Sequence, residues 1–393
     1  GDFMDIPVNG YKRLIEHDFD RSAKMQIPGA WNCQDLRTFY YEGVMWFRTK
    51  FNYQKCKGRR TRLYFGAVNY ESYVYLNGKK LGRHLGGFTP FDYDVTDVLV
   101  DGENSLVVKA DNRRQISAVP TDIFDWWNWG GITREVLLVD LPDLHMRDVY
   151  LQAAKGNLKR LRGEISLSTA VAGEKTTIEI PELGIKAESV TDKTGTARFD
   201  IGAEPQPWSP ENPKLYNLTL NIGNEWINFP LAVRKAEIKD RCFLFNGKLV
   251  KIRGINRHDS NPETGYAVSM EHMTRDLYIL KQGNVNAIRT SHYPNDPRFL
   301  ELCDKIGFMV IDEADIETHG MGYNYGDWYW DYWAFLSDTP EWREAYLDRA
   351  MRLFERDKNH GCVIMWSLGN ESGCGENHRQ MANYIRSRKP DAI

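Results

Sequence analysis

Asn370 and Glu371 stand side by side immediately after the apolar run Val363 to Leu368. An amide next to a carboxylate at such a place is how a barrel enzyme presents a proton donor. A buried parallel strand reads as a continuous apolar run, and in a β/α barrel the chemistry emerges at its carboxyl end. Three further runs end the same way. KIRGIN at 251 to 256 leads into Arg257, His258 and Asp259, with Asn256 closing the run. AIRTS is followed by His292 and Tyr293 after Ser291. FMVIDEA carries Asp312 and Glu313 and is followed by Asp315, Glu317 and His319. One polar strand end is commonplace and caps a turn. Four in succession place three histidines and several carboxylates around one mouth, which points to a polar active site without naming its reaction.

Glu317 and His319 are two residues apart and so share one side of an extended segment. Together with Glu371 across the mouth they form a candidate divalent-cation site, whose oxygen-rich donors suit Mg²⁺ or Mn²⁺ better than Zn²⁺. The same spacing also fits a solvated acidic loop with an incidental imidazole. His258 and His292 equally fit hydrogen-bonded packing residues. The run YNYGDWYWDYW at 323 to 333 holds seven aromatics in eleven positions. It suits either a wall on which the C–H faces of a sugar stack or packing against a neighbouring domain or subunit.

The elements that must position these groups follow from the pattern. From Gly43 to about Leu141, short β-type runs alternate with Gly, Asn and Asp turns, and Tyr73, Tyr75 and then Asn77-Gly78 read as a strand entering a hairpin. Several such strands suggest a jelly-roll β-sandwich. A second all-β stretch, from about Leu144 to Lys235, has the length of a sandwich of about 100 residues. Past Phe243 strand and helix alternate: KIRGIN, EHMTRDLYILKQGN, AIRTS, PRFLELCDKIG, FMVIDEA, TPEWREAYLDRAMRLFERDKNH, CVIMWSLGN and GENHRQMANYIRSRK. This rhythm predicts parallel strands with right-handed crossovers. An eightfold barrel takes about 250 residues, more than follow Phe243, so the barrel is expected as its first half.

With 393 residues, a net charge of −3 and a pI near 6.4, the chain has room for two or three cores and shows no basic excess that would point to nucleic acid. Aromatics at 12% suit sandwich cores or sugar-stacking surfaces. The cysteines, Cys33, Cys56, Cys242, Cys303, Cys362 and Cys374, have no metal or redox spacing and read as reduced. No apolar stretch approaches the roughly 20 residues of a membrane span. The start GDFMDIPVNG has no signal pattern. A cytoplasmic protein is expected, with the periplasm or secretion left open by a signal removed before Gly1.

On these residues the chain resembles glycoside hydrolase family 2, the family of β-galactosidases and β-glucuronidases, over essentially its whole length. The most specific segments are NAIRTSHYPNDPRFLELCDKIGFMVI, DEADIETHGM and DKNHGCVIMWSLGNES, supported by KIRGINRHD, VYLNGKKLGRHLGGFTPFDYDVT and NWGGITREV. The resemblance implies a multidomain fold: a sugar-binding-like jelly roll at 1–143, an immunoglobulin-like sandwich at 144–236, and a (β/α)₈ TIM barrel, of which 237–393 is the N-terminal half. It implies a retaining exo-glycosidase that removes terminal non-reducing β-D-galactose, using two carboxyl groups about 5 to 5.5 Å apart. Glu371 matches the acid/base, with a pKa that must be raised by burial and by the partner carboxylate. Glu317, His319 and Glu371 match the galactosidases' magnesium ligands. Asn370, His258, His292, Arg289 and Asp125 match groups that contact the sugar.

The barrel segment resembles the galactosidases, whereas FDWWNWGGITR at 124 to 134, which contains Asp125, is similar to the glucuronidases. β-Glucuronidase is therefore the alternative activity, and a non-catalytic carbohydrate-binding remnant the alternative class. Gly361 stands where the family places Pro, a change expected to loosen the chain before the fourth strand at about 1 kcal/mol or less. In the family the nucleophilic Glu ends the seventh barrel strand. It is expected beyond Ile393, so the isolated chain is expected to be inactive. The full-length form is expected to be a homo-oligomer acting on a glycoside, without membrane or nucleic-acid partners.

Overall fold

Asn77 and Gly78 take φ values of 51° and 81°, and between them the chain reverses so that Leu76 of strand Glu71–Leu76 faces Lys79 of strand Lys79–Leu85. The expected hairpin forms because a turn with both central φ angles positive matches the twist of the strands it joins. The computed structural model describes residues 19–324 and 334–393, so most of the aromatic run at 323–333 lies outside the described residues. The chain divides into two compact units. The first comprises Gly1–Gln115, Asp125–Leu141 and Ser260–Val268, and the second Ile116–Phe124, Pro142–Asp259 and Ser269–Ile393.

In the first unit, Val44–Tyr53, Gly102–Asp111, Glu71–Leu76 and Lys79–Leu85 form one antiparallel sheet in that order, while Val136–Pro142, Arg59–Phe65 and Phe91–Asp94 form another. Alternate residues of both sheets meet in one core. Val74, Leu76, Leu106 and Val108 come from the first sheet, Leu63, Phe65 and Phe91 from the second, and Trp31 is fully buried among them. This is the two-sheet sandwich expected from period-2 patterning.

The second unit opens with another sandwich. Met146–Ala154, Asn157–Leu167 and Thr196–Gly202 make one antiparallel sheet; Ile185–Val190, Lys175–Ile180, Tyr216–Ile222 and Glu225–Leu231 make the other. Leu161, Ile165, Ile178, Leu218 and Leu220 fill the space between them.

Four parallel strands follow, paired in chain order: Gly254–Asn256, Ala287–Arg289, Met309–Glu313 and Val363–Ser367. The crossover helices begin and end where the sequence says they should. Ser269 caps Met270–Gln282 by accepting from the His272 amide, and Asp296 caps Pro297–Ile306, which Gly307 stops in the left-handed region at φ 90°. Arg343–Asp357 precedes the fourth strand and Glu376–Arg388 follows it.

One expectation is corrected. The first strand is not buried: Gly254 and Asn256 are exposed, because this strand pairs on one side only, with Ala287–Arg289. Gly361 sits in a close contact. A Cβ there would stand 2.1 Å from Ala232 Cβ, and Arg234 clamps the same stretch by donating through Nε to Gly361 O at 2.9 Å and through Nη2 to Val363 O. A side chain at this position would collide with the Ala232 methyl.

Candidate active site

The site is built where the second, third and fourth parallel strands end. Arg289 is the last residue of the second strand and lies opposite Ile311. Glu313, two residues past Ile311, therefore sits on the same face of the sheet, and Ser367 lies directly opposite it at the end of the fourth strand. The Glu313 carboxylate is fully buried and takes donors on both oxygens. Arg289 donates to it through Nε (2.6 Å) and Nη2 (3.0 Å) and Ser367 through Oγ (2.5 Å), and His292 Nδ1 lies 2.7 Å from Oε1. Such forked guanidinium–carboxylate contacts are among the stronger polar interactions.

Arg289 also reaches Asn370 Oδ1 at 2.9 Å, while Asn370 Nδ2 donates to Glu317 Oε2 at 3.2 Å. A guanidinium only donates and a carboxylate only accepts, so these partners fix which way the Asn370 amide faces. The backbone locks the same corner: Glu317 and Asn370 form an isolated parallel bridge, and Asn370 N donates to Ile316 O at 2.8 Å.

Glu371 follows with φ 39°, in the left-handed region that a non-glycine residue seldom occupies. Glu317 and His319 face the same side, as their spacing predicts. His319 Nδ1 lies 3.2 Å from Glu317 Oε1 and 3.2 Å from Glu371 Oε2. Glu317 Oε1 is buried and accepts no hydrogen bond among the described residues. Ligand atoms about 2.1 Å from a small divalent cation stand roughly 3 Å apart on adjacent octahedral positions. Two carboxylates and an imidazole, with atoms within 4.8 Å of one another and a buried carboxylate oxygen left without a donor, thus have the spacing and chemistry that such an ion requires.

His258 and His292 come together as expected, their rings 5.3 Å apart and edge to face, and His258 Nδ1 lies 3.3 Å from the Tyr293 hydroxyl. Burial, reinforced by His292, holds the His258 imidazole below its ordinary pKa and so favours its neutral form. The Glu371 side chain is 43% exposed among the described residues. Asp125 lies in an exposed part of the first unit.

Several strand-end groups serve the framework. Arg257 is buried against Asp259 (2.8 Å), Asp276 (2.9 Å) and Asn295 (2.9 Å). Asp312 accepts from Thr290 Oγ1 at 3.1 Å, and burial, added to by Asp357, pushes its carboxyl well above the usual range. Glu313 is the residue whose role sequence reasoning missed. It was counted among the third strand's carboxylates, and only the register of the parallel strands puts it between Arg289, His292 and Ser367.

Family models cover nearly the whole sequence: "Glycosyl hydrolases family 2, sugar binding domain" at residues 3–142, "Glycosyl hydrolases family 2" at 144–228, and "Glycosyl hydrolases family 2, TIM barrel domain" at 236–391. The chain belongs to glycoside hydrolase family 2. A β-galactosidase of Streptococcus thermophilus is 36% identical over 344 residues, covering 84% of this chain and 33% of that protein. A β-galactosidase of Clostridium acetobutylicum is 32% identical over 425 residues, covering 97% of this chain and 46% of that protein. The chain thus spans less than half the length of either. Among solved structures, a β-glucuronidase from an uncultured Clostridium species matches with a TM-score of 0.80 at 27% identity, over 96% of this chain and 67% of that one. No described helix is long and apolar enough to cross a membrane.

Proposed function

We propose that this chain carries the acid/base half of a retaining glycosidase site that removes terminal β-D-galactose from β-galactosides. The observation that carries the reading is the placement of Glu371. It follows the fourth parallel strand beside an Asn370 whose amide is oriented by Arg289 and Glu317, and its carboxylate lies 3.2 Å from His319. Glu371 protonates the glycosidic oxygen in the first step and takes a proton from water in the second. A nucleophilic carboxylate about 5 to 5.5 Å away forms and releases the glycosyl intermediate. By the family resemblance that nucleophile ends the seventh barrel strand. Asn370, His258 and His292, with Arg289 held beside them, are assigned to the sugar hydroxyls, and by the family resemblance Asp125 is assigned to sugar binding. Glu317, His319 and Glu371 are assigned to Mg²⁺, which when bound supplies a fixed positive charge beside the acid/base carboxyl.

Galactose is favoured by the β-galactosidase relatives at 32 to 36% identity. The second reading, a β-glucuronidase, is supported by structural neighbours such as the Clostridium β-glucuronidase and by the FDWWNWGGITR segment. Hydrolysis of nitrophenyl β-galactoside and β-glucuronide, by this chain and by a form extended through the rest of the barrel, with and without Mg²⁺, tests both. Galactoside turnover by the extended form alone, enhanced by Mg²⁺, is the expected result. Glucuronide turnover transfers the assignment to the second reading. If neither form turns over either sugar, the reading of a non-catalytic carbohydrate-binding protein moves to the front.

A further inference from the structure

We propose that Glu313 is a positioning residue that locks His292 as the Nδ1–H tautomer, so that the neutral ring offers Nε2 as a hydrogen-bond acceptor. This deepens the glycosidase reading and rests on it for its functional meaning. A carboxylate paired with a guanidinium fork is ionised and can only accept. His292 Nδ1, 2.7 Å from Glu313 Oε1, must therefore carry the proton. Arg289, forked onto both oxygens, and Ser367 Oγ on Oε2 supply the other donors. Four donor contacts thus fill the carboxylate's roughly four lone-pair directions. Because Glu313 is fully buried, it has no solvated alternative position from which to release the ring.

The consequence is chemical selectivity. Whenever the ring is neutral, this tautomer makes Nε2 its acceptor nitrogen, which takes a hydroxyl and repels a carboxylate, while Arg289 is held to Asn370 Oδ1 at 2.9 Å. The two groups on Glu313 thus favour a neutral polyol. Their fixed orientation means that no rearrangement is needed when such a ligand arrives.

The test is the nitrogen spectrum of the chain labelled with ¹⁵N-histidine, recorded at about pH 9, well above the ordinary histidine pKa of roughly 6.5. The protein has nine histidines, and the His292 signals are identified by their loss in His292→Gln. Expected are a pyrrole-type Nδ1 and a pyridine-type Nε2. In Glu313→Gln the two types exchange or average, whereas Ser367→Ala, which removes a donor that does not touch the ring, leaves them in place. A pyridine-type Nδ1 in the unaltered chain overturns the proposal, as do two pyrrole-type nitrogens or an unchanged tautomer in a folded Glu313→Gln. If that variant does not fold, the spectrum of the unaltered chain still decides. Absence of glycoside turnover by the form extended through the rest of the barrel, with the tautomer intact, would sink the glycosidase reading and leave the positioning role standing.

Discussion

Replacing Gly361 by Ala sets two principles against each other. Gly361 is not among the positive-φ residues, so by conformational entropy alone Ala should stabilise the fold by about 0.4 to 1 kcal/mol. The packing argues the other way. The new Cβ would lie 2.1 Å from Ala232 Cβ and 3.4 Å from Ala232 Cα, whereas carbon atoms settle at about 3.5 to 4.0 Å. The two segments must part by roughly 1.5 Å, and Arg234 resists, since its guanidinium is bonded to the carbonyls of Gly361 and Val363. Overpacking of this kind costs about 1 to 3 kcal/mol, so the net effect is a destabilisation of about 1 to 2 kcal/mol, a fall in Tm of roughly 2 to 8 °C for a unit of 150 to 250 residues. Urea and thermal unfolding followed by circular dichroism would measure it. The decisive assay is the cycle with Ala232→Gly. With that methyl gone, the nearest remaining atom is the Cα at 3.4 Å, so Gly361→Ala should become nearly harmless, a coupling of about 1 to 2 kcal/mol. A more stable Gly361→Ala, or additive effects in the double variant, would refute the close-approach account.

Three further outcomes are expected. Arg349 and Asp315 are both almost fully buried and lie 3.0 Å apart, so Arg349→Met, which strands the carboxylate, should cost about 3 to 5 kcal/mol in urea unfolding; a loss below 1 kcal/mol would mean that solvent reaches the pair. At His360, burial lowers the pKa, but the hydrogen bond and charge of Asp304, 2.6 Å away, outweigh it and raise the value overall. Because the folded value lies above the unfolded one, this contribution is full below the ordinary histidine pKa of about 6.5 and fades as pH rises through the folded value. The stability gap between the chain and His360→Asn should accordingly shrink from pH 6 to pH 9, and a gap that widens would contradict the sign. Mg²⁺ at 100 times its dissociation constant should stabilise the chain by about 2.7 kcal/mol, and Glu317→Gln should abolish most of that rise; an equal Mg²⁺ response in the variant would remove Glu317 from the metal site.

The sequence disclosed whatever depends on local pattern. Asn77-Gly78 announces its turn, Ser269 and Asp296 announce their helices, and the run ending at Ser367 announces the strand that presents Asn370 and Glu371. Even the pairing of Glu317 with His319 was legible, because two residues along an extended segment face the same side. What stayed hidden depends on register and on contacts distant in the chain. Glu313 looks like any carboxylate of FMVIDEA until Ile311 is known to lie opposite Arg289 and Glu313 opposite Ser367. Gly361 looks like a weak substitute for Pro until Ala232, more than a hundred residues earlier, is found against it. The exposure of Glu371 was hidden for the same reason, since burial at a strand end is set by what folds over it and not by the apolar run that leads to it. The catalytic candidates were thus readable one by one, while the residue that orients them was not: a positioning group is defined by its partners, and Glu313 acquires three of them only when three parallel strands come into register.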